Sequence, residues 1–210
     1  GGMDRQEATP EDLPPLELRK LRDLDVLRPD DDPRGPYVYA ASAVVRRGDF
    51  TYVIGDDELD LAVFELSSGR PGDLRPVLPG ELPTGPDERK RDKPDLEALT
   101  AMPPFEGAPY GGLFGLGSGS KRSRDRGFFW ELGPEGTLEG EPRPIDLRPL
   151  YEALRGEIEE LNIEGAAVLG GRAQYGRRSR AFSRIHQLPV ADQAEERRGA
   201  LVSRVTSDIE

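Results

Sequence analysis

The sequence predicts a mainly β protein, built as a partial β-propeller-like array of repeated four-strand antiparallel sheets with one connecting helix and a helical C-terminal tail. Short apolar runs, several with alternating polar residues, lie between turn-forming Gly and Pro residues. Two groups of four such runs follow one another and resemble each other, as propeller blades do. The 25 glycines and 20 prolines among 210 residues have no fixed period, which suits many turns. An ordinary antiparallel sandwich is the alternative fold.

The first unit is predicted between residues 41 and 78. Its four strands are expected over residues 41–45, 50–54, 59–66 and 74–78. Most of these runs are rich in β-branched or aromatic residues, and turns at Gly48 and Gly55 separate the first three. Before this unit, residues 16–27 partly alternate, which predicts an edge strand with a short helix as the alternative. Residues 1–15 are polar and proline-rich and are expected to form a disordered N-terminal arm.

The second unit repeats this organisation. Its strands are expected over residues 95–100, 112–116, 127–132 and 142–147, and a third unit opens at residues 162–169 without a second strand. Between these units, residues 146–161 carry apolar residues at helical spacing, which predicts the connecting helix, although Gly156 weakens it. Ser42, Glu97 and Glu164 open the three units in turn.

Composition excludes several classes of function. The chain has no cysteine, which removes disulfides and thiolate zinc sites and fits a cytoplasmic location. Its formal charge of −11 argues against binding to nucleic acid. No apolar run approaches the ~20 residues of a membrane span. His186 is the only histidine, so neither a histidine-containing triad nor a histidine zinc site can form within residues 1–172.

Carboxylates recur near the starts of the units and provide the first candidate site. The candidate residues are Asp56, Asp57, Asp95, Glu97 and Glu164. In a propeller, the innermost strands line a central channel, where carboxylates can bind Ca²⁺ through hard oxygen ligands or act as a general acid and base. The alternative is that these side chains only cap turns and accept backbone hydrogen bonds.

A glycine-rich stretch with basic neighbours provides the second candidate, an anion-binding loop. It contains Ser118, Ser120, Lys121 and Arg122. Backbone amides and cationic side chains in such a loop can hold an anion. No Gly-Lys-Ser/Thr sequence closes the loop, and a strand rather than a helix is expected after it, so it is not a Walker A motif. The alternative is an ordinary strand end followed by a solvated basic loop.

Three motifs in order carry a family resemblance. The stretches KPDLEAL at residues 93–99, LGSGS at 116–120 and LNIEGA at 161–166 resemble an uncharacterised bacterial propeller-like family. That family is distantly similar to the esterase-like domain of some phytases. The resemblance covers residues 16–172 and implies a β-propeller, but no established reaction. It also implies further blades after Arg172, so these residues would form about half of the family's domain.

The tail carries a different resemblance. Residues 180–188 and the run GALVSRVTSDI at residues 199–209 resemble the cytoplasmic coupling-helix segment of an ABC exporter transmembrane domain. In an exporter, this segment would meet a nucleotide-binding domain. No Walker A motif is present in this chain. Residues 173–210 are therefore predicted to be a helical tail of unrelated origin, joined at Ala173 by a fusion, a frameshift or gene assembly.

The functional prediction follows from these features. The chain is expected to be a binding or scaffold module for an unknown small molecule or protein, with no demonstrable catalysis. One alternative is a metal-assisted hydrolase of phosphate or other esters that uses Asp95, Glu97 and Glu164 around a channel. The other is an ABC exporter-related fragment that acts through its tail. Because a partial propeller exposes sheet edges, self-association through those edges is also expected.

Overall fold

A computed structural model describes residues 14–168 of the chain. Within this range the protein is mainly β, with two four-stranded antiparallel sheets and two short helices. The strands of the first sheet are β1 (Ala41–Arg47), β2 (Phe50–Gly55), β3 (Asp60–Glu65) and β4 (Asp73–Pro76). Those of the second are β5 (Leu96–Met102), β6 (Gly112–Gly117), β7 (Arg126–Glu131) and β8 (Arg143–Asp146). The helices are α1 (Pro86–Asp92) and α2 (Arg148–Arg155).

Each sheet is an up-and-down meander in which consecutive strands are neighbours. The β1–β2 hairpin shows how the sequence specifies this order. Arg47 pairs with Phe50, so only Gly48 and Asp49 form the turn. Gly48 adopts a φ of 57°, a conformation that glycine takes without the steric cost of a side chain. The sheet order and the repeated unit agree with a partial propeller-like fold.

The two sheets pack face to face through a shared apolar core. Tyr52, Ile54 and Leu61 of the first sheet and Phe128 and Leu113 of the second are fully buried in this core. β5 contacts both β1 and β2, so the second sheet begins against the first two strands of the first. This burial of apolar side chains is the main force that holds the two units together.

The outward face of each sheet is covered by chain outside the strands. Val26 packs on Phe64 of the first sheet, and the backbone around it pairs with Gly72. On the second sheet, Leu150 and Tyr151 of α2 pack with Phe129. The segment after α2 adds Leu161 and Ile163 to the same cluster. Each of these covering segments is held by its own apolar residues.

All eight strands predicted for the first two units are present, with bounds shifted by one or two residues. The edge strand predicted over residues 16–27 is wrong, because that segment forms only single bridges at Asp25 and Val26. Leu16 and Leu18 are almost fully exposed and have no neighbouring strand. The predicted first strand of a third unit is also wrong over residues 162–168, which lie in no strand. Both predictions are wrong for the same reason: a strand is stable only when a neighbouring strand pairs with it.

The connecting helix is present but shorter than the predicted range 146–161. It ends at Arg155, and Gly156 follows as the C-cap. The apolar spacing nevertheless predicted burial correctly, because Leu147, Leu150, Leu154 and Leu161 are all buried against the second sheet. Glycine has a low helix propensity, and the chain beyond Gly156 contacts the sheet without helical structure. Helix α1 was not predicted.

The outermost strands, β4 and β8, are each four residues long, and each contains a proline and an arginine. Short edges with proline and charge disfavour pairing with another chain. Self-association through these edges stays a prediction. None of the helices within residues 14–168 is both long and apolar enough to cross a membrane. The predicted N-terminal arm, up to residue 13, and the predicted helical tail lie outside the described residues.

Candidate functional site

The first strand of each unit carries a β-bulge at the same position. In β1, Ala41 pairs with Gly55 and Ala43 with Ile54, which leaves Ser42 as the extra residue. In β5, the register skips Glu97 in the same way, between Leu96 and Ala98. A bulge bends its strand and redirects a side chain, and bulges are frequent beside functional sites. Ser42 and Glu97, which open the first two units in the sequence, therefore also occupy corresponding positions in the fold.

A chain of backbone hydrogen bonds links the units beside these bulges. The Asp56 amide donates to the Ala40 carbonyl at 3.0 Å, and the Asp95 amide donates to the Asp56 carbonyl at 3.0 Å. The Ser118 amide then donates to the Asp95 carbonyl at 2.8 Å, and the Ile163 amide to the Ser118 carbonyl at 2.7 Å. This chain brings residues from the two units and from the segment after α2 to one place.

The carboxylates of Asp56, Asp95 and Glu97 meet there, with one oxygen atom of each lying within 4.8 Å of the others. Among the described residues, this is the only cluster of three or more His, Cys, Asp or Glu side chains with metal-binding spacing. Glu164 is near enough to act electrostatically on Glu97. We call Asp56, Asp95, Glu97 and Glu164 the carboxylate rim. The rim contains four of the five carboxylates named from the sequence, and their role as a site stays a prediction.

Asp95 is the most heavily bonded member of the rim. Its Oδ2 atom accepts hydrogen bonds from Ser118 Oγ at 2.5 Å and from Arg124 Nη1 at 2.8 Å. Although burial acts to raise the pKa of Asp95, these donors and Lys93 hold it below its ordinary value. Its φ of 56° lies in the left-handed region, where a non-glycine residue is uncommon. Asp95 is therefore an anionic anchor held in a strained backbone position.

Lys93 places a positively charged ammonium group against the rim. Its ammonium hydrogen-bonds to Asp56 Oδ2 and lies 2.9 Å from Asp95 Oδ1. Burial acts to lower the pKa of Lys93, but the hydrogen bonds and charges of the two carboxylates raise it above its ordinary value. Lys93 is the C-cap residue of α1, so this contact also attaches that helix to the rim.

Glu97 has the opposite environment. Within the described residues it accepts no hydrogen bond, and it is half-buried. Burial, followed by the charges of Asp95, Asp56 and Glu164, raises its pKa to about 7, and Lys93 only partly offsets this. Glu97 is therefore the carboxyl group that remains available for a ligand or a proton at neutral pH.

This environment predicts a pH dependence of stability. The pKa of Glu97 rises from an ordinary value of 4.5 to about 7 on folding, so the folded state binds this proton more tightly. The free energy of unfolding should therefore fall as the pH rises through that interval. Because Glu97 is partly exposed and screened, its share should be about 1 kcal/mol. Urea unfolding of the wild type and Glu97→Gln, at pH 5 and pH 8 with chelator, measures it. An equal change in both proteins would contradict the assignment.

The remaining predicted residues are divided between different contacts. Asp57 is not part of the cluster and pairs with Arg89 of α1, at 2.8 Å between Arg89 Nε and Asp57 Oδ2. Ser120 Oγ lies 3.4 Å from Asp95 Oδ2. Arg122 pairs with Glu152 on α2, and Lys121 is exposed. The four residues of the predicted anion loop thus do not converge, because the serines turn towards an internal carboxylate.

Lys93 is the site residue that the sequence reasoning missed. A single lysine next to Pro94 and Asp95 gives no signal by itself, because its partner Asp56 is 37 residues away in the chain. Arg124, which also contacts the rim, could be recognised only as one of several basic residues in the loop after β6. The high number of carboxylates near the starts of the units was the only signal for these two residues, because a cluster of carboxylates requires cations nearby.

The fold and the rim define a class of protein: a mainly β, repeat-built protein with an acidic site where its units meet. The chain belongs to the family described as "Family of unknown function (DUF6929)", whose model matches residues 37–200. This range includes the eight strands, both helices and the rim, and it runs beyond the predicted junction at Ala173. Neither a curated protein nor a solved structure matches the chain. The comparisons thus give no support to the resemblance to phytase-associated domains or to ABC exporters.

Proposed function

We propose that this protein is a binding module that holds a divalent cation, Ca²⁺, at the carboxylate rim without catalysing a reaction. The observation that carries the proposal is Glu97, a carboxyl group at a strand bulge that has no hydrogen-bond donor within the described residues. Burial raises its pKa first, and the negative charges of Asp95, Asp56 and Glu164 raise it further, with only partial compensation by Lys93. A bound cation would offset these negative charges.

The charge balance supports a divalent ion. Four carboxylates form the rim, and the cations in contact with it are Lys93 and Arg124. With Glu97 ionised, an excess of two negative charges remains. Carboxylate oxygens are the ligands that Ca²⁺ prefers, and exposed Glu164 at the solvent side leaves a path for entry.

Calorimetric titration of the full chain with CaCl₂ at pH 7.5 tests the proposal. We expect a single site with a dissociation constant of about 0.1–1 mM, the range of Ca²⁺ sites with few rigid ligands. Glu97→Gln should weaken binding at least tenfold because it removes the ligand charge, and that factor corresponds to about 1.4 kcal/mol. Glu106→Gln, the same change at an exposed position outside the rim, should bind as the wild type does. Absence of binding by the wild type would refute the proposal.

A metal-assisted hydrolase is the second candidate, and one observation favours it. A carboxyl group with a pKa of about 7 can both give and take a proton at neutral pH, and it lies beside carboxylates that could hold a metal. In this version, Asp95 and Glu164 hold the ion and Glu97 moves the proton. Hydrolysis of p-nitrophenyl phosphate and p-nitrophenyl acetate with added Ca²⁺ tests it. Turnover no faster than that of Glu97→Gln would exclude the hydrolase for these substrates.

The exporter-related alternative concerns residues 173–210, which lie outside the described residues. Co-purification of the full chain with a nucleotide-binding subunit, lost when residues 173–210 are deleted, would support it. No observation within residues 14–168 favours this alternative over the cation-binding module. An additional small-molecule or protein partner also stays a proposal, with the rim as the surface that such a partner would meet.

A further inference from the structure

Helix α1 is attached to the rest of the protein in an unusual way for a helix. None of its residues is buried, so it contributes no side chain to an apolar core. Its attachments are polar instead. Arg89 donates to the Asp57 carboxylate and, at 2.7 Å, to the Asp57 carbonyl, while Arg124 donates to the Lys90 carbonyl at 3.2 Å. Lys93, directly after the helix, completes the attachment at the rim.

The Lys93 ammonium lies among the carboxylates of the proposed cation site. It contacts Asp56 and Asp95 together, two of the three carboxylates that have metal-binding spacing. Its side chain is only 17% exposed, so the contact is partly shielded from water. A divalent ion that bridges these two carboxylates cannot share that position with an ammonium group, because the two cations would repel at contact distance.

We propose that Lys93 is an internal competitor for the cation: its ammonium occupies the place between Asp56 and Asp95, and a bound ion displaces it and releases α1 from the rim. This inference rests on the proposed function, and it adds a regulatory contact to that site. The affinity measured for Ca²⁺ then contains the cost of breaking two ion pairs.

Reciprocity follows from the competition. If the anchored form of α1 lowers the affinity for the ion, the ion must loosen α1 by the same factor. The coupling operates through one bistable element, since Lys93 is either on the carboxylates or off them. The remaining contacts, from Arg89 to Asp57 and from Arg124 to the Lys90 carbonyl, keep the segment close to the protein in either state. Release is thus a local increase in the mobility of α1, without separation of the units.

The test combines calorimetry with hydrogen exchange in the full chain. Lys93→Met should bind Ca²⁺ about tenfold more tightly than the wild type, while Lys93→Arg should stay close to wild type because it keeps a cation at the position. Lys90→Met is the matched control, since Lys90 is an exposed lysine whose side chain has no partner in the described residues. In the wild type, Ca²⁺ should accelerate amide exchange in residues 86–92, whereas Lys93→Met should exchange rapidly without the ion.

The outcomes distinguish the two proposals. Equal Ca²⁺ affinity in the wild type and Lys93→Met would overturn the competitor role and leave the cation-binding function in place. Absence of Ca²⁺ binding in the wild type and in Lys93→Met would overturn both. Slow exchange of α1 in Lys93→Met, matching the wild type, would overturn the anchoring role even if affinity changed. A thermal melt of each variant establishes that it is folded before the titration.

Discussion

Replacing Glu58 by alanine is expected to lower the free energy of unfolding by about 3–5 kcal/mol, the cost of removing one partner from a buried ion pair. The Glu58 side chain is 1% exposed and pairs with Arg28, which is 2% exposed. Its second oxygen accepts a hydrogen bond from Arg34 Nη1 at 2.8 Å. Without Glu58, the Arg28 charge would stay buried, with the Tyr37 carbonyl as its hydrogen-bond acceptor and Asp32, 3.9 Å from Nη1, as its remaining ion-pair partner. Urea unfolding at pH 7 measures the loss.

The matched control is Glu65→Ala, which removes an exposed pair with Arg70 and should cost less than about 1 kcal/mol. A double variant gives a second test. Adding Arg28→Met to Glu58→Ala should recover part of the lost stability, because it removes a buried charge that only Asp32, at 3.9 Å, still compensates, and it leaves apolar surface. If the two substitutions are instead additive, burial of a poorly compensated charge is not the reason for the effect.

Phe128→Ala is expected to lower the free energy of unfolding by about 4–5 kcal/mol, at the upper end of the range for such truncations. Phe128 is fully buried in the core between the sheets. Its ring lies over Gly115, where a Cβ atom would be 2.1 Å from the ring. Because Gly115 has no side chain that could move into the space, the cavity left by the ring cannot be filled from that side. Chemical denaturation followed by circular dichroism measures the change.

Tyr110→Ala provides the comparison for this prediction. Tyr110 is 55% exposed, so truncating it removes a similar ring without opening a cavity in the core, and it should cost less than about 1 kcal/mol. Similar losses in the two variants would mean that the space between the sheets is not tightly packed.

The local sequence pattern was enough to predict the eight strands of the two sheets. Runs such as residues 50–54 and 127–132 are rich in aromatic and β-branched residues, and glycine or proline follows closely at their ends. These properties depend on neighbours in the chain, so a single sequence reveals them. The same applies to the apolar face around α2, where Leu150 and Leu154 are buried as predicted although the helix ends earlier.

The two wrong strands have a common physical cause. Residues 16–27 and 162–168 have suitable compositions, but a strand exists only where a second strand satisfies its backbone groups. Whether such a neighbour is available depends on the whole fold. In the described residues, the backbone around Val26 makes two hydrogen bonds to Gly72, and the Ile163 amide makes one to the Ser118 carbonyl, so neither segment forms a ladder.

The carboxylate rim shows the same division between local and non-local information. The sequence already indicated which acidic residues recur near the starts of the units. Asp56, Asp95 and Glu97 come together in the structure, and Glu164 is near enough to act electrostatically on Glu97. Only the tertiary structure decided that Lys93 and Arg124 pair with Asp56 and Asp95, while Glu97 has no hydrogen-bond donor within the described residues. Ion pairing depends on distances between residues far apart in sequence, whereas strand and turn preferences depend on adjacent ones.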